Sequence, residues 1–198
     1  SGILGEGGMA VVYEIWNEQL GVKRAVKLLK PNCSQEDINR FANEIKITAQ
    51  LDHPNIIDIH SVGTWHHLPY IEMEMIDGYT LDRIISERGA LPPDVAVAIS
   101  IVIAKALNYT HHHKYRFHNK EHSGVLHRDL KPGNIIISKR EGIVRLADFG
   151  IATPSNVTAG TTNGKVVGSM QYLSPEQLEE DHIDNRADIF SLGCIMYE

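Results

Sequence analysis

Eight consecutive residues, His127-Arg128-Asp129-Leu130-Lys131-Pro132-Gly133-Asn134, gather a carboxylate, an ammonium group and an amide into one short stretch. Asp129 can accept a proton from an attacking hydroxyl, and Lys131 can neutralise phosphate charge beside it. Asn134, five residues after Asp129, offers a hard oxygen to Mg²⁺. Asp148-Phe149-Gly150 begins fourteen residues after Asn134 and adds a carboxylate for the same metal. Two oxygen ligands completed by phosphates and water suit Mg²⁺, and Mn²⁺ accepts the same donor set.

Two weaker signals lie upstream. Gly5-Glu6-Gly7-Gly8-Met9-Ala10-Val11-Val12 reads G-x-G-x-x-A-x-V. Glycines there let backbone N–H groups approach phosphates that a Cβ would hold off. A strand rather than a helix follows, which disfavours a dinucleotide-binding loop. Taken alone, a plain glycine-rich hairpin explains the run equally well. Ala25 and Lys27 are two apart on the next strand and share a face, so a small residue sits beside a lysine as an adenine and its phosphates would require. Glu44, on a predicted helix, is the partner expected for Lys27; surface exposure is the plain reading of each residue taken singly.

These residues need elements to hold them. Residues 11–16 and 23–29 are short, apolar or β-branched runs separated by a hairpin signal at 17–21. Ser34 and Asp37 form a capping-box pattern ahead of a helix whose Ile38, Phe41, Ala42 and Ile45 make a buried stripe. His53-Pro54-Asn55 is expected to end that helix. Strands follow near 56–61 and 70–76. Beyond Asp77-Gly78 the pattern turns helical, with a long helix from Pro92-Pro93-Asp94 to about His112. Residues 134–138 and 143–146 read as a hairpin turning at Glu141-Gly142, and 151–168 as a loop rich in Thr, Ser, Gly and Asn. The expected class is α+β in two lobes, a small antiparallel sheet with one helix over 1–76 and a mainly helical part over 77–198.

The chain has 198 residues, with 42% hydrophobic and 22% charged, as in ordinary soluble globular proteins. Its formal net charge of −6 argues against a nucleic-acid partner. Two distant cysteines, Cys33 and Cys194, without metal-type spacing argue against a disulfide framework and for a reducing, cytoplasmic setting. The apolar run 95–104, broken by Ser100, is too short to span a bilayer and reads as a buried helix. The chain opens without Met and stops at Tyr197-Glu198 within an apolar run, so we expect a C-terminally incomplete domain. That leaves room outside it for targeting signals, a membrane anchor or further domains.

The chain resembles Hanks-type protein kinases over its whole length. It is most similar to the eukaryotic-like serine/threonine kinases of bacteria, through Leu4-Gly5-Glu6-Gly7-Gly8-Met9-Ala10 and Gly168-Ser169-Met170-Gln171-Tyr172-Leu173-Ser174-Pro175-Glu176-Gln177. That resemblance implies a bilobal fold and Mg²⁺-dependent transfer of the ATP γ-phosphoryl group to Ser or Thr hydroxyls of proteins. It implies that Leu4, Val12, Ala25 and Ile136 sandwich the adenine, with Met73 as gatekeeper and Glu74 and Ile76 bonding it through the hinge backbone. The loop 5–10 covers the phosphates, and Lys27 holds the α- and β-phosphates while pairing with Glu44. Asp129 is the expected base, Lys131 the γ-phosphate ligand, and Asn134 and Asp148 the metal ligands. Asp188 matches the buried aspartate that braces the catalytic loop, and Arg128 a clamp for a phosphorylated activation loop, with Thr158, Thr161 and Thr162 as the candidate acceptors. Self-association for autophosphorylation is a further expectation. Ala10 replaces the third glycine, and Ser174-Pro175-Glu176 stands where Ala-Pro-Glu is usual.

Residues 115–122 look like an insertion before the catalytic loop. Within it, His118-Asn119-Lys120-Glu121-His122 matches H-x-x-E-H, which on a helix would put both histidines on one face for zinc. The surrounding lysines and arginine and the lack of a third ligand argue against that reading. His111-His112-His113 is expected to be a solvated helix end. The alternative from another class is a catalytically silent module that binds nucleotide or partners; the presence of Lys27, Glu44, Asp129, Asn134 and Asp148 weighs against it.

Overall fold

The computed structural model describes residues 2–149, 170–179 and 183–198, which form two compact units. The first runs to Asp52 and resumes over Ile57–Ile76; the second takes His53–Ile56 and everything from Asp77 onward.

The first unit is a five-stranded antiparallel sheet in the order β1-β2-β3-β5-β4, with one helix. Its strands are β1 (Gly2–Glu6), β2 (Ala10–Asn17), β3 (Val22–Leu29), β4 (Ile59–Trp65) and β5 (Leu68–Glu74). Asn17 closes the β2–β3 turn, accepting Leu20 N–H at its Oδ1 (3.1 Å) and Gly21 N–H at its carbonyl (2.9 Å). Gly21 supplies the positive φ of 64° that this turn requires. Val12 is thereby set opposite Lys27, and Glu14 opposite Ala25.

Helix α1 (Gln35–Thr48) starts at the capping box read from the sequence. Asp37 N–H donates to Ser34 Oγ at 3.2 Å, and Ser34 N–H to Asp37 Oδ2 at 3.1 Å. Phe41 and Ile45 bury against Ala10, Ala25, Leu29, Ile71 and Met73, which together make this unit's apolar core. The helix ends at Thr48, well before the proline expected to stop it. Gln50 Nε2 turns back to donate to Lys46 O at 2.6 Å and occupies a carbonyl of the last turn.

The next strand also starts later than the sequence suggests, at Ile59 rather than Ile56. Asn55 and Ile56 belong to the second unit instead. Asn55 O accepts Leu146 N–H (2.8 Å), Asn55 Nδ2 donates to Val144 O (3.0 Å), and Ile56 bridges Leu146 in parallel. An apolar run could not show which unit would take up its backbone.

The second unit contains β6 (Gly78–Thr80), α2 (Leu81–Arg88), α3 (Pro93–His112), the hairpin β7 (Lys114–Phe117) and β8 (Lys120–Ser123), then β9 (Ile135–Ser138) and β10 (Val144–Leu146). A short α4 (Pro175–Leu178) and α5 (Arg186–Tyr197) follow. β6 joins the β9–β10 hairpin as a third strand, a pairing too brief to leave a period in the sequence. In α3, Ile103, Ala106, Leu107 and Thr110 are wholly buried, while Val97 and Ile101 are about half exposed. The helix is therefore buried along one face, not all round. Its length and composition would let it cross a membrane, but its polar His111 is bonded to α5 within this unit.

Candidate active site

The insertion at 115–122 is a β-hairpin, with Phe117 opposite Lys120 and a turn at His118-Asn119 whose φ values are 49° and 61°. Two residues with positive φ are the mark of a tight hairpin turn. With His118 in the turn and His122 on β8, the two histidines do not share a helix face, so the zinc reading loses its geometry; among the described residues no cluster of three or more His, Cys, Asp or Glu side chains could hold a metal. Tyr115 stacks on His122 instead, ring centroids 5.4 Å apart.

The base of the hairpin is closed just before the loop 127–134. Gly124 N–H donates to His113 O at 3.0 Å and Val125 N–H to Thr110 O at 2.8 Å. Gly124 has φ 84°, and a Cβ there would stand 3.1 Å from His111 O, so only glycine fits without strain. The chain thus leaves the end of α3, makes its excursion and returns to the same place.

The loop 127–134 is bolted to α5 by one buried carboxylate. Asp188 is 1% exposed. Its Oδ1 accepts Arg128 N–H at 2.8 Å; its Oδ2 accepts His127 N–H at 2.9 Å and lies 2.7 Å from His111 Nε2. Burial pushes the Asp188 carboxyl pKa up, but the His111 contact and the two backbone donors outweigh it and hold the group below its ordinary value. His111 is a correction to the sequence reading: it is not a solvated helix end, for its side chain is only 5% exposed. Its neighbour His112 faces outward, with Nδ1 2.8 Å from Asn108 O. Histidines one residue apart on a helix point about 100° apart, and composition alone could not tell which faced the core.

His127 ties the loop to the strand that leads to Asp148. Its Nε2 lies 3.0 Å from Ala147 O, and its Nδ1 accepts Asp129 N–H at 3.3 Å. One nitrogen donating and the other accepting is the neutral imidazole, and burial indeed pulls the His127 pKa down. Ala147 N–H donates to Asn134 O at 2.8 Å, so both polar backbone atoms of Ala147 are fixed by the loop 127–134. Asp148 follows at φ 56°, and Phe149 is buried with its ring 4.7 Å from that of His127.

Within the loop, Lys131 Nζ is 2.7 Å from Asp129 Oδ2. Asn134, buried on a single 3₁₀ turn (Pro132–Asn134), donates through Nδ2 to Asp129 O at 2.8 Å and to Asp129 Oδ2 at 3.2 Å. Leu130 and Ile135 are almost fully buried and hold this turn down. Three of the residues singled out in the sequence, Asp129, Lys131 and Asn134, are therefore joined by one network, and Asp148 follows Ala147, whose backbone that loop holds.

The remaining described candidates lie in the first unit, apart from Ile136, which is half-buried on β9 opposite Arg145 and Thr80. The loop between β1 and β2 is closed by Gly7 N–H to Ala10 O (2.9 Å), and Met9 O accepts Lys30 N–H (2.9 Å). Lys30 Nζ also pairs with Glu6 at 2.7 Å, which draws the exposed Glu6 carboxyl below its usual pKa. A Cβ built on Gly5 or Gly8 would meet no protein atom within 4 Å, and neither residue has positive φ. Val12 and Leu4 flank this loop, Leu4 largely exposed. Ala25 and Met73 face each other across β3 and β5 in the core. Glu74 N–H donates to Asp58 O at 2.9 Å; Ile76 lies just past the end of β5. Lys27 Nζ stands 5.9 Å from the centroid of the Phe41 ring, and Glu44, one helical turn on from Phe41, is 3% exposed rather than on the surface. Thr158, Thr161 and Thr162 lie outside the described residues, as does Gly150.

A five-stranded antiparallel sheet with one helix, and a mainly helical unit carrying His-Arg-Asp to Asn and Asp-Phe, constitute the bilobal protein-kinase fold. The protein kinase domain family matches residues 1–198, and the chain belongs to that family. It is 41% identical to a probable serine/threonine-protein kinase of Clostridium perfringens over 197 residues, 98% of this chain and 27% of the relative. With the serine/threonine-protein kinase PknB of Mycobacterium leprae it shares 38% identity over 203 residues, 99% of this chain and 31% of the relative. It thus spans less than a third of the length of these curated relatives. Among solved structures, the Mycobacterium tuberculosis PknI kinase domain matches with TM-score 0.73 and 28% identity, over 98% of this chain and 70% of that one. Rad53 residues 1–466, solved in complex with AMP-PNP, matches with TM-score 0.75 and 26% identity, over 98% of this chain and 45% of that one. The chain is a Hanks-type serine/threonine kinase domain homologous to these bacterial kinases.

Proposed function

We propose that the protein containing this domain transfers the γ-phosphoryl group of ATP to serine or threonine hydroxyls of proteins. The observation that carries the reading is the network around Asp129: a carboxylate held by Lys131 and Asn134 in a loop fixed through its own backbone by Asp188. Rad53, of the same fold, binds an ATP analogue. The two glycines that neither packing nor backbone conformation requires leave open backbone beside the β1–β2 loop, as phosphates would need.

Asp129 would take the proton of the acceptor hydroxyl as its oxygen bonds to phosphorus and the bond to ADP breaks. Lys131 would offset charge on the transferred group, and Lys27, oriented by Glu44, would hold the α- and β-phosphates. Leu4, Val12, Ala25 and Ile136 would enclose the adenine, with Glu74 and Ile76 meeting its edge. Asn134 and Asp148 would suit a hard cation: the Asn134 amide nitrogen is engaged by Asp129, which leaves its oxygen to ligate, and Asp148 directly follows Ala147, whose N–H donates to Asn134 O. Mg²⁺ or Mn²⁺ held there would neutralise phosphate charge. Regulation would come from phosphorylation at Thr158, Thr161 or Thr162, with Arg128 as the clamp, by self-association of two copies, and the setting would be cytoplasmic.

The test is incubation of the full-length protein with labelled ATP, Mg²⁺ and a generic protein substrate, followed by phosphoamino-acid analysis. Label on serine or threonine, lost without divalent metal, is the expected result. Nucleotide binding without transfer would favour a catalytically silent module.

A further inference from the structure

Arg128 combines two features that seldom coexist by accident: a positive φ of 64° at a non-glycine residue, and side-chain partners on both of its backbone polar atoms. Left-handed backbone at such a residue costs about 1–3 kcal/mol and persists only where its surroundings over-determine it. Asp188 Oδ1 takes the N–H at 2.8 Å. Gln177 Nε2, from α4, donates to the carbonyl at 2.9 Å.

That carbonyl belongs to the peptide joining Arg128 to Asp129. The same peptide's N–H is held by His127 O at 2.9 Å. A peptide plane fixed at both its oxygen and its nitrogen has no freedom to rotate, and its orientation sets the direction in which the Asp129 side chain leaves the backbone. Gln177 meanwhile accepts Ser174 N–H at its Oε1, 3.2 Å away, and so closes the start of α4. The amide therefore faces two ways, with its acceptor serving its own helix and its donor serving the catalytic loop.

We propose that Gln177 is a positioning residue for Asp129, locking the Arg128–Asp129 peptide and coupling the segment 170–178 to the catalytic loop. That segment is itself anchored on α5, where Ser191 Oγ donates to Tyr172 O at 2.7 Å. The claim rests on the kinase reading for its effect on rate, but its structural half does not.

The two ends of the amide can be separated. Gln177→Glu keeps an acceptor for Ser174 N–H and abolishes the donor to Arg128 O; Gln177→Lys keeps a donor and loses the acceptor. In the full-length protein, Gln177→Glu should lower kcat about 10- to 100-fold, the scale expected for a small displacement of a reacting group, with KM for ATP within about twofold. Gln177→Lys should stay within about threefold of wild type in kcat, the donor being kept. Amide hydrogen exchange should accelerate at Arg128–Leu130 in Gln177→Glu alone, a readout that does not need activity. Wild-type kcat and unchanged exchange in Gln177→Glu would overturn the proposal. So would a Gln177→Lys variant that loses as much activity as Gln177→Ala, which decides the matter even if the glutamate variant fails to fold. A wild-type protein that transfers no phosphate would sink the kinase reading, and the exchange experiment would still decide the positioning claim.

Discussion

The carboxylate of Asp188 on α5 and the imidazole of His111 on α3 meet at 2.7 Å, with their side chains only 2% and 5% exposed. Because the same carboxylate holds two backbone N–H groups of the catalytic loop, the joint between the two helices is also the foundation of the candidate active site.

Removing Asp188 leaves three buried hydrogen-bonding groups without their partner. Asp188→Ala should cost about 3–5 kcal/mol in urea unfolding. His111→Phe, which keeps the ring volume and leaves the two backbone bonds in place, should cost clearly less. Equal losses in both variants would mean that the two backbone bonds add nothing to the His111 contact.

Asp129 should behave in the opposite way. Its side chain and that of Lys131 are 36% and 28% exposed, so their pairing contributes at most about 1 kcal/mol. Asp129→Asn should therefore melt like wild type while losing about 10²–10⁴-fold in phosphoryl transfer. Transfer at the wild-type rate would remove Asp129 as the base.

Burial keeps His127 neutral in the folded protein at pH values where the unfolded chain would protonate it. Its folded pKa is depressed, so its contribution is complete above the unfolded value of about 6.5 and is lost as pH falls below it. The slope due to one such group cannot exceed about 1.4 kcal/mol per pH unit. Stability measured from pH 7 to pH 5 should fall more steeply for wild type than for His127→Gln, and parallel curves would refute the assignment.

Gly63 on β4 lies under the ring of Tyr70 on β5, its register partner. A Cβ at Gly63 would stand 2.6 Å from Tyr70 Oη and 2.7 Å from Cζ. Gly63→Ala should destabilise the protein by about 1–3 kcal/mol through overpacking. Most of that loss should disappear when it is combined with Tyr70→Val, as a double-mutant cycle followed by thermal unfolding would show.

The runs 4–10, 127–150 and 168–177 carried the resemblance to the family without coordinates, because each motif lies in contiguous chain, and with it the expectation of phosphoryl-transfer chemistry. Local signals also located the Ser34–Asp37 cap, the Gly21 turn and the start of α3 at Pro93, since caps, left-handed turns and proline act within a few residues of chain. What required the tertiary structure was the choice between equivalent neighbours. His111 is buried and His112 is not; Asn55 and Ile56 pair with β10 rather than extend β4; Gln177 reaches back to Arg128 across forty-nine positions. Each is decided by which distant backbone or carboxylate needs a partner once the helices pack, and no local pattern in a single sequence encodes that demand.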